Sequence, residues 1–442
     1  MTKDSLAVAI EALSWMAYEG IGERTALFRS AAELGVHASN DLRQAHKLVM
    51  ETVRYKNHLE NLIYGLVTEG KNQRIPHGVT SLLMIFAYLK YVDGKADAEI
   101  EQNARWARQI LGWKELLPYE KVIALIASGT LGRSQSELSE DERIALQTCN
   151  PLWFVQRTIR VFGRAFALKI LNRNLKQLPA YIRLNALKAS PGSAEKISKL
   201  FQAVRLEQFQ GVLKIDKARS VLTRSDFFKS GEIVLQDLAS IVAGLVSSPE
   251  RGSFVLDICA APGNKTGHLA AIMGNEGEIC SIDISAKRLS HWVREMNRTG
   301  VTIAHPIRAD ARDIPASKEA NLVLVDPPCS NTGVFARNPD VKWKVTNQKI
   351  DEFRLKQYSI LKAAAEHVGL GGTIVYCTCS LLPEENELLI EDFLRSHHDF
   401  RLVAQRPFLG SPGLRGMDLC QRFYPHLHDC NGYFIAKLQR TH

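Results

Sequence analysis

The sequence predicts an α/β protein whose C-terminal half is a doubly wound, mostly parallel sheet, preceded by an all-α module and a small α+β segment. Three observations carry the prediction. From Phe254 onward, short apolar runs of strand length alternate with helical patterns such as LSHWVREMNRT and EFRLKQYSILKAAAEHV, the order that builds a parallel sheet between helices. Before about Ser139 the apolar residues recur at helical spacing. Between the two regions lie short elements of mixed character. A length of 442 residues exceeds one ordinary domain. The expected division is an all-α domain over 1–142, a basic linker with a small α+β subdomain over 143–230, and the sheet domain over 231–442.

Hydrophobic residues at 45% and charged residues at 23% describe a soluble globular chain with ample core. Lys and Arg outnumber Asp and Glu, 56 against 47, and the formal net charge of +9 suits a polyanionic partner. The start, MTKDSLAVAIEALSW, lacks the basic, apolar and cleavage regions of a secretory signal. No apolar run reaches membrane-spanning length. A cytoplasmic location without a membrane role is therefore expected, with the eight cysteines reduced. The chain has no pair of CxxC units, so no metal site is expected, and a monomer is the default state.

Within the N-terminal region, DLRQAHKLVMETVRYKNHLENLIYGLV carries one apolar face, and TSLLMIFAYLKYV and PYEKVIALIASGTLG continue the helical pattern. No catalytic constellation is visible there, and a packing or docking role fits. From Arg143 to Glu195 no acidic residue intervenes. That stretch holds Arg157, Arg160, Arg164, Lys169, Arg173, Lys176, Arg183 and Lys188, interleaved with Trp153, Phe154, Phe162, Phe166 and Tyr181. Such a stripe can neutralise phosphates, and any exposed aromatics can stack on bases, although core packing is the ordinary fate of aromatics. YIRLNAL, SAEKISKLFQAV, GVLKI and SVLTR then form the small α+β segment, and FFKSGEIVLQDLASIVAGLV leads into a helix ahead of the sheet.

The expected strands are Phe254–Asp257, Glu278–Asp283, Val301–Ala309, Leu322–Asp326 and Thr373–Cys377, with Phe400–Ala404 and Tyr433–Leu438 closing the sheet. The first strand runs into FVLDICAAPGNKT: a strand, a loop of small residues and a helix start, where open α/β sheets seat a nucleotide-like ligand. GNKT is not a phosphate-cradling Walker loop, and GxGxxG is missing. Acidic residues recur at strand ends as Asp257, Asp283, Asp310 and Asp326. Singly each reads as a cap or turn residue; together they mark a ligand crevice, one that fits a nucleoside cofactor without phosphates such as S-adenosylmethionine. Past two strand ends come PPCSNTG and CTCSLLPEENE, which put Cys329 and Cys379 in matched loops, each followed by Ser. A buried cysteine is usually inert, but two at a sheet's functional edge point to covalent chemistry.

CAAPGNKT, DPPCSNTG with RNPDVKW behind it, and YCTCSLLPEENE resemble the motifs of RNA cytosine-5 methyltransferases of the Fmu/Sun/nucleolar-protein (RsmB-like) family. GEIVLQDLAS and NGYFIAKL are supporting matches, and the resemblance runs from about Leu178 to the end. The N-terminal helices are similar in placement and character to the NusB-like RNA-binding domain of some members. The resemblance implies a Rossmann-like S-adenosylmethionine-dependent core acting on RNA, ribosomal RNA in preference to tRNA. It assigns to Cys379 the addition to C6 of cytosine, to Cys329 the release step, to Asp326 contact with the base and to Lys265 the organisation of the site. The cofactor pocket would be lined by Cys259, Ala260, Ala261, Pro262, Gly263, Asn264, Lys265, Asp283, Arg288, Asp310 and Asp326, whereas Cys377 has no matched role and is expected to pack in its strand.

Two positions depart from the family pattern: Asn264 stands where Gly is frequent, and Pro327 where Ala is frequent. A helical backbone at 264 would leave the pocket intact. Pro327 makes DPPC similar to the (D/N)PPY motif of exocyclic-amino methyltransferases, the enzymatic alternative, which would need neither Cys379 nor a second thiol. A non-catalytic RNA-binding ribosome-assembly factor is the alternative from another class.

Overall fold

A computed structural model describes residues 1–67, 75–129, 138–216, 219–316 and 318–442. The chain forms two compact units, one of Met1–Leu175 with Asn338–Lys344, the other of Lys176–Arg337 with Val345–His442. The stretch 143–230 thus divides, its helices up to Arg173 in the first unit and its strands, with the helix Ser193–Phe201, in the second.

Every described regular element of the first unit is helical. Its opening helix, Lys3–Glu19, starts where the Thr2 side chain accepts from Ser5 N and stops where Gly20 turns left-handed at φ 69°. The run TSLLMIFAYLKYV becomes the helix His77–Tyr91, in which Leu82, Leu83, Ile85, Phe86 and Ala87 are fully buried. A helix apolar on all sides belongs at the centre of its bundle. The pattern PYEKVIALIASGTLG yields the helix Glu120–Ser128, and its last residues lie outside those described.

The segment Asn338–Lys344 caps this bundle. The helix Ser39–Arg54 ends with carbonyls that have no partner within the helix. Trp343 Nε1 donates to Val53 O at 2.8 Å, and Lys342 Nζ donates to Arg54 O at 2.8 Å and also to Cys149 O. Lys342 is fully buried. RNPDVKW, which reads as one loop in the sequence, is therefore divided: Arg337 stays in the second unit and the rest joins the first.

The basic stretch is less uniform in space than in sequence. Arg160, Arg164, Lys169 and Lys176 are exposed, but Arg164 pairs with Glu140, just before the acid-free run. Arg183 is buried and donates to Gln236 at 2.9 Å. Phe154 and Tyr181 are core residues.

In the second unit, a small antiparallel sheet orders Val204–Arg205, Val212–Ile215, Ala180–Leu184 and Ile233–Leu235. SVLTR contributes to a short helix, Arg219–Leu222. The main sheet contains β1 (Phe254–Ile258), β2 (Glu278–Ile282), β3 (Ala304–Ile307), β4 (Ala320–Val325), β5 (Val368–Thr378) and β6 (Tyr433–Arg440). They run in the order β6-β5-β4-β1-β2-β3, parallel except for β6. The chain builds outward from β1 to β3 and then returns to β4 on the other side of β1. That reversal opens a crevice at the carboxyl ends of β1 and β4.

The strand carrying the second cysteine motif starts earlier than its apolar pattern suggests. The expected strand begins at Thr373, yet pairing of Ala320 with Val368 and of Thr373 with Gln439 draws residues 368–372 into β5, with a register irregularity near Ala320. Phe400–Leu402 pairs with β6. Two short strands, Ser411–Pro412 and Gln421–Phe423, extend the sheet beyond β6. With a proline in one and polar residues in the other, neither shows an apolar alternation. Helices α1 (Asn264–Ile272), α2 (Ala286–Thr299), α3 (Asn347–Ala365) and α4 (Glu387–Ser396) belong to the same unit.

Burial drives the Lys342 amine down to about pKa 7, against 10.5 for a free lysine, while both carbonyl acceptors remain available to either protonation state. The unfolded chain binds this proton between those two pH values and the folded chain does not, so stability rises with pH across the window. In Lys342→Met that rise, at most about 1.4 kcal/mol per pH unit, should vanish. Urea unfolding of both proteins between pH 7 and 9.5 checks it; parallel slopes would contradict it.

Candidate active site

β1 delivers Asp257 to the crevice, fully buried, where Thr266 Oγ1 donates to its Oδ2 at 2.5 Å. Trp292 Nε1 donates in turn to Thr266 Oγ1 at 3.0 Å. Burial raises the Asp257 carboxyl to about 7, opposed by the Thr266 hydroxyl and by Lys265. Its Oδ1 is buried without a hydrogen-bond partner among the described residues. Cys259 follows with a left-handed backbone, φ 64°, which turns the chain out of the strand. Its thiol is pushed up to about 12, first by burial and then by Asp326 and Asp283.

Gly263 sits at φ 106°, and a Cβ there would come within 2.8 Å of Met296 Cε and 3.0 Å of Trp292 Cδ1. Only glycine fits this close approach. Asn264 opens α1 with an ordinary helical backbone, so its side chain imposes no strain there.

At the end of β2, Asp283 is buried beneath a partly exposed Arg288. Ala261 N donates to its Oδ2 at 3.3 Å, Ser285 N to its Oδ1 at 3.0 Å, and Arg288 Nη1 lies 3.2 Å from Oδ2. Arg288 also donates to Ala261 O, which ties the first loop to the second strand. Ala260, Ala261 and Met296 form a small apolar cluster with Trp292. These residues fit a nucleoside cofactor: carboxylate acceptors for a diol, backbone groups of Cys259–Gly263, and an apolar wall. Asp310 stands apart. Its carboxylate is held by Arg312 at 3.0 and 2.7 Å and by Arg312 N at 2.9 Å, and those bonds lower it to about 2. No described contact joins it to Asp257, Asp283 or Asp326.

The second part of the crevice lies at the ends of β4 and β5. Lys265 Nζ meets Asp326 Oδ2 at 2.5 Å. Burial by itself would lower the lysine, but Asp326, Cys377 and Asp257 more than offset it and hold the amine above its ordinary range. Cys329 Sγ lies 3.1 Å from Cys379 Sγ. Cys329 is buried and Cys379 partly exposed, and its hydrogen bond to Cys379, with burial, raises the Cys329 thiol well above its ordinary value.

Three neighbours escape sequence reasoning. Cys377 does pack in its strand, but its Sγ also reaches Asp326 Oδ1 at 3.7 Å. The Tyr433 ring lies 5.7 Å from Lys265 Nζ. Asn331, left-handed at φ 58°, accepts from Cys379 Sγ at 2.9 Å and donates to Cys329 O at 3.0 Å. A usable signal existed only for Asn331, an Asn between Ser and Thr in a turn-like loop. Among the described residues no cluster of His, Cys, Asp or Glu could hold a metal ion, and no helix is long and apolar enough to cross a membrane.

Comparison with known proteins agrees with this geometry. The 16S rRNA methyltransferase RsmB/F family matches residues 245–439. The probable ribosomal RNA small subunit methyltransferase B of Bacillus subtilis is 30% identical over 428 residues, spanning 91% of this chain and 92% of that protein. The tRNA (cytosine(72)-C(5))-methyltransferase of Pyrococcus horikoshii is 37% identical over 215 residues, 48% of this chain and 54% of that protein. The crystal structure of PH0851 matches with a TM-score of 0.84 at 26% identity, covering 100% of this chain and 99% of that one. The chain belongs to the RsmB/F family of RNA cytosine-C5 methyltransferases.

Proposed function

We propose that the chain methylates C5 of a cytosine in ribosomal RNA through a covalent bond between Cys379 and C6 of the base. The approach of the Cys329 and Cys379 thiols to 3.1 Å, beside the Lys265–Asp326 pair, carries this reading. C5 of cytosine is a weak nucleophile. Addition of the Cys379 thiolate to C6 pushes electron density to C5; Asp326 would hold the base, and the Lys265 ammonium on its Oδ2 would balance the negative charge that develops. S-adenosylmethionine, when bound, supplies the methyl group. The C5 proton must then leave so that the Cys379–C6 bond can break and the double bond re-form. Cys329, deprotonated before this step, would take that proton as its thiolate; the C5–H electrons re-form the double bond and the Cys379–C6 pair leaves with Cys379 as thiolate.

Asp283, Arg288 and the Cys259–Lys265 loop would hold the cofactor, with Asp257 fixing the loop through Thr266. Asp310, paired with Arg312, would lie at the rim of the pocket as a further acceptor. Exocyclic-amino methylation has no use for two adjacent thiols. Ribosomal RNA is favoured over tRNA because the relative named for small-subunit RNA matches almost the whole chain, whereas the tRNA enzyme matches about half. The helical unit, with exposed Arg160 and Lys169, would add RNA contacts by phosphate neutralisation. The protein would act in the cytoplasm.

Cys329→Ala mixed with total cellular RNA and S-adenosylmethionine should accumulate a protein–RNA adduct that survives a denaturing gel, because addition occurs and release fails. The adduct should be absent in Cys329→Ala/Cys379→Ala, and sequencing the trapped RNA identifies the substrate. Methyl transfer by wild type that persists in Cys379→Ala would sink the covalent route. In the Cys329→Ala background, Asp326→Asn should slow adduct formation by about 100-fold or more, read by quenched time courses.

A further inference from the structure

Each cysteine is followed by a serine, and the structure gives that repetition a use. Ser330 and Ser380 are fully buried, their hydroxyls 3.2 Å apart. Both donate to one oxygen, Oε2 of Glu385, itself fully buried. The other oxygen, Oε1, accepts from Ser330 N at 2.8 Å and from Gln357 Nε2 at 2.9 Å. Gln357 Nε2 also donates to Pro328 O at 2.9 Å, ahead of Cys329. Glu385 makes no described ion pair. A buried carboxylate without a counter-ion is costly, and this one is sustained by neutral donors drawn from both cysteine loops.

We propose that Glu385 is a positioning residue that sets the distance between the two catalytic thiols by tying the loop of Cys329 to the loop of Cys379. The inference rests on the reading that both cysteines serve one reaction. A carboxylate suits the position because both its oxygens accept. A carboxamide could keep one side and offer its NH₂ to the hydroxyls, which can turn to accept, so Gln preserves part of the bridge. Ala removes it.

The test reads thiol geometry without RNA or cofactor, so its failure is distinct from failure of the methylation reading. Dibromobimane becomes fluorescent when it alkylates two adjacent thiols, and peptide mass identifies the pair. In the wild-type chain it should bridge Cys329 and Cys379, with Cys379→Ser as the blank. Glu385→Ala should slow bridging by about 20-fold or more, while single alkylation of Cys379 by iodoacetamide stays within about threefold; Glu385→Gln should recover most of the rate. A lesion that merely loosened the fold would speed single alkylation. Bridging unchanged in Glu385→Ala, or absent from wild type, would overturn the proposal. Should Glu385→Ala fail to fold by circular dichroism, Ser330→Ala/Ser380→Ala carries the same test, with the same slowing expected and an unchanged rate overturning it.

Discussion

The site depends on the register of two adjacent parallel strands. Val325 of β4 lies beside Tyr376 of β5, so Asp326 and Cys377 emerge together and the loops beyond them run side by side. That is how Cys329 and Cys379, separated by 50 positions, come within 3.1 Å. The loops then bond directly: Gly333 N donates to Cys379 O at 2.9 Å, and Gly432 N donates to Gly333 O at 2.8 Å. A Cβ on Gly333 would fall 2.1 Å from Gly432 O and 2.8 Å from Cys379 O, and one on Gly432 would lie 2.8 Å from Gly333 Cα. The glycines of PCSNTG and NGYF are therefore demanded by three backbones meeting in one place. A slip of one residue would turn alternate side chains to the opposite face and separate the thiols.

Charge at this edge is organised around one buried cation. Asp326 and Asp283 lie near enough to add to the cost of ionising Asp257, which burial above all raises to near neutrality. Lys265 interacts with both Asp257 and Asp326 and pairs directly with Asp326 Oδ2. Removing one member of a buried pair strands the other. Cys377 touches the remaining Asp326 oxygen, so both oxygens of that carboxylate have contacts from the protein side.

Much of this was legible in the sequence because it follows from local pattern. The apolar runs of β1, β2 and β4 gave their positions within a residue or two, and the small-residue loop after β1 announced a tight βα corner. Residues whose placement depends on a strand end, such as Asp283, Asp326, Cys329 and Cys379, could be set at the crevice from strand order alone. What escaped are pairings across loops. Nothing in the sequence around Glu385 says which hydroxyls it meets, and Asn331 becomes informative only once Cys379 is known to face it. At Asp310, past β3, the sequence did not disclose the local pairing with Arg312, two residues on. In the acid-free stretch, composition counted Arg183 as surface charge, yet β-strand alternation turned it inward to Gln236.

The segment after the first cysteine motif makes the same point about polarity. RNPDVKW has the look of a solvated loop, with charges, a proline and a tryptophan, yet Lys342 is buried more completely than most apolar residues. The cause is a surplus of acceptors: a helix end leaves carbonyls that must find donors, and Lys342 and Trp343 supply N–H groups on side chains long enough to reach them. An apolar residue at 342 would remove the charge but leave Arg54 O and Cys149 O unanswered. The lysine therefore solves a hydrogen-bonding problem at an electrostatic cost, and that cost is why its amine titrates near neutrality. The same trade governs Glu385, where neutral donors hold a buried charge in place because the loops need a shared acceptor more than they need an apolar core.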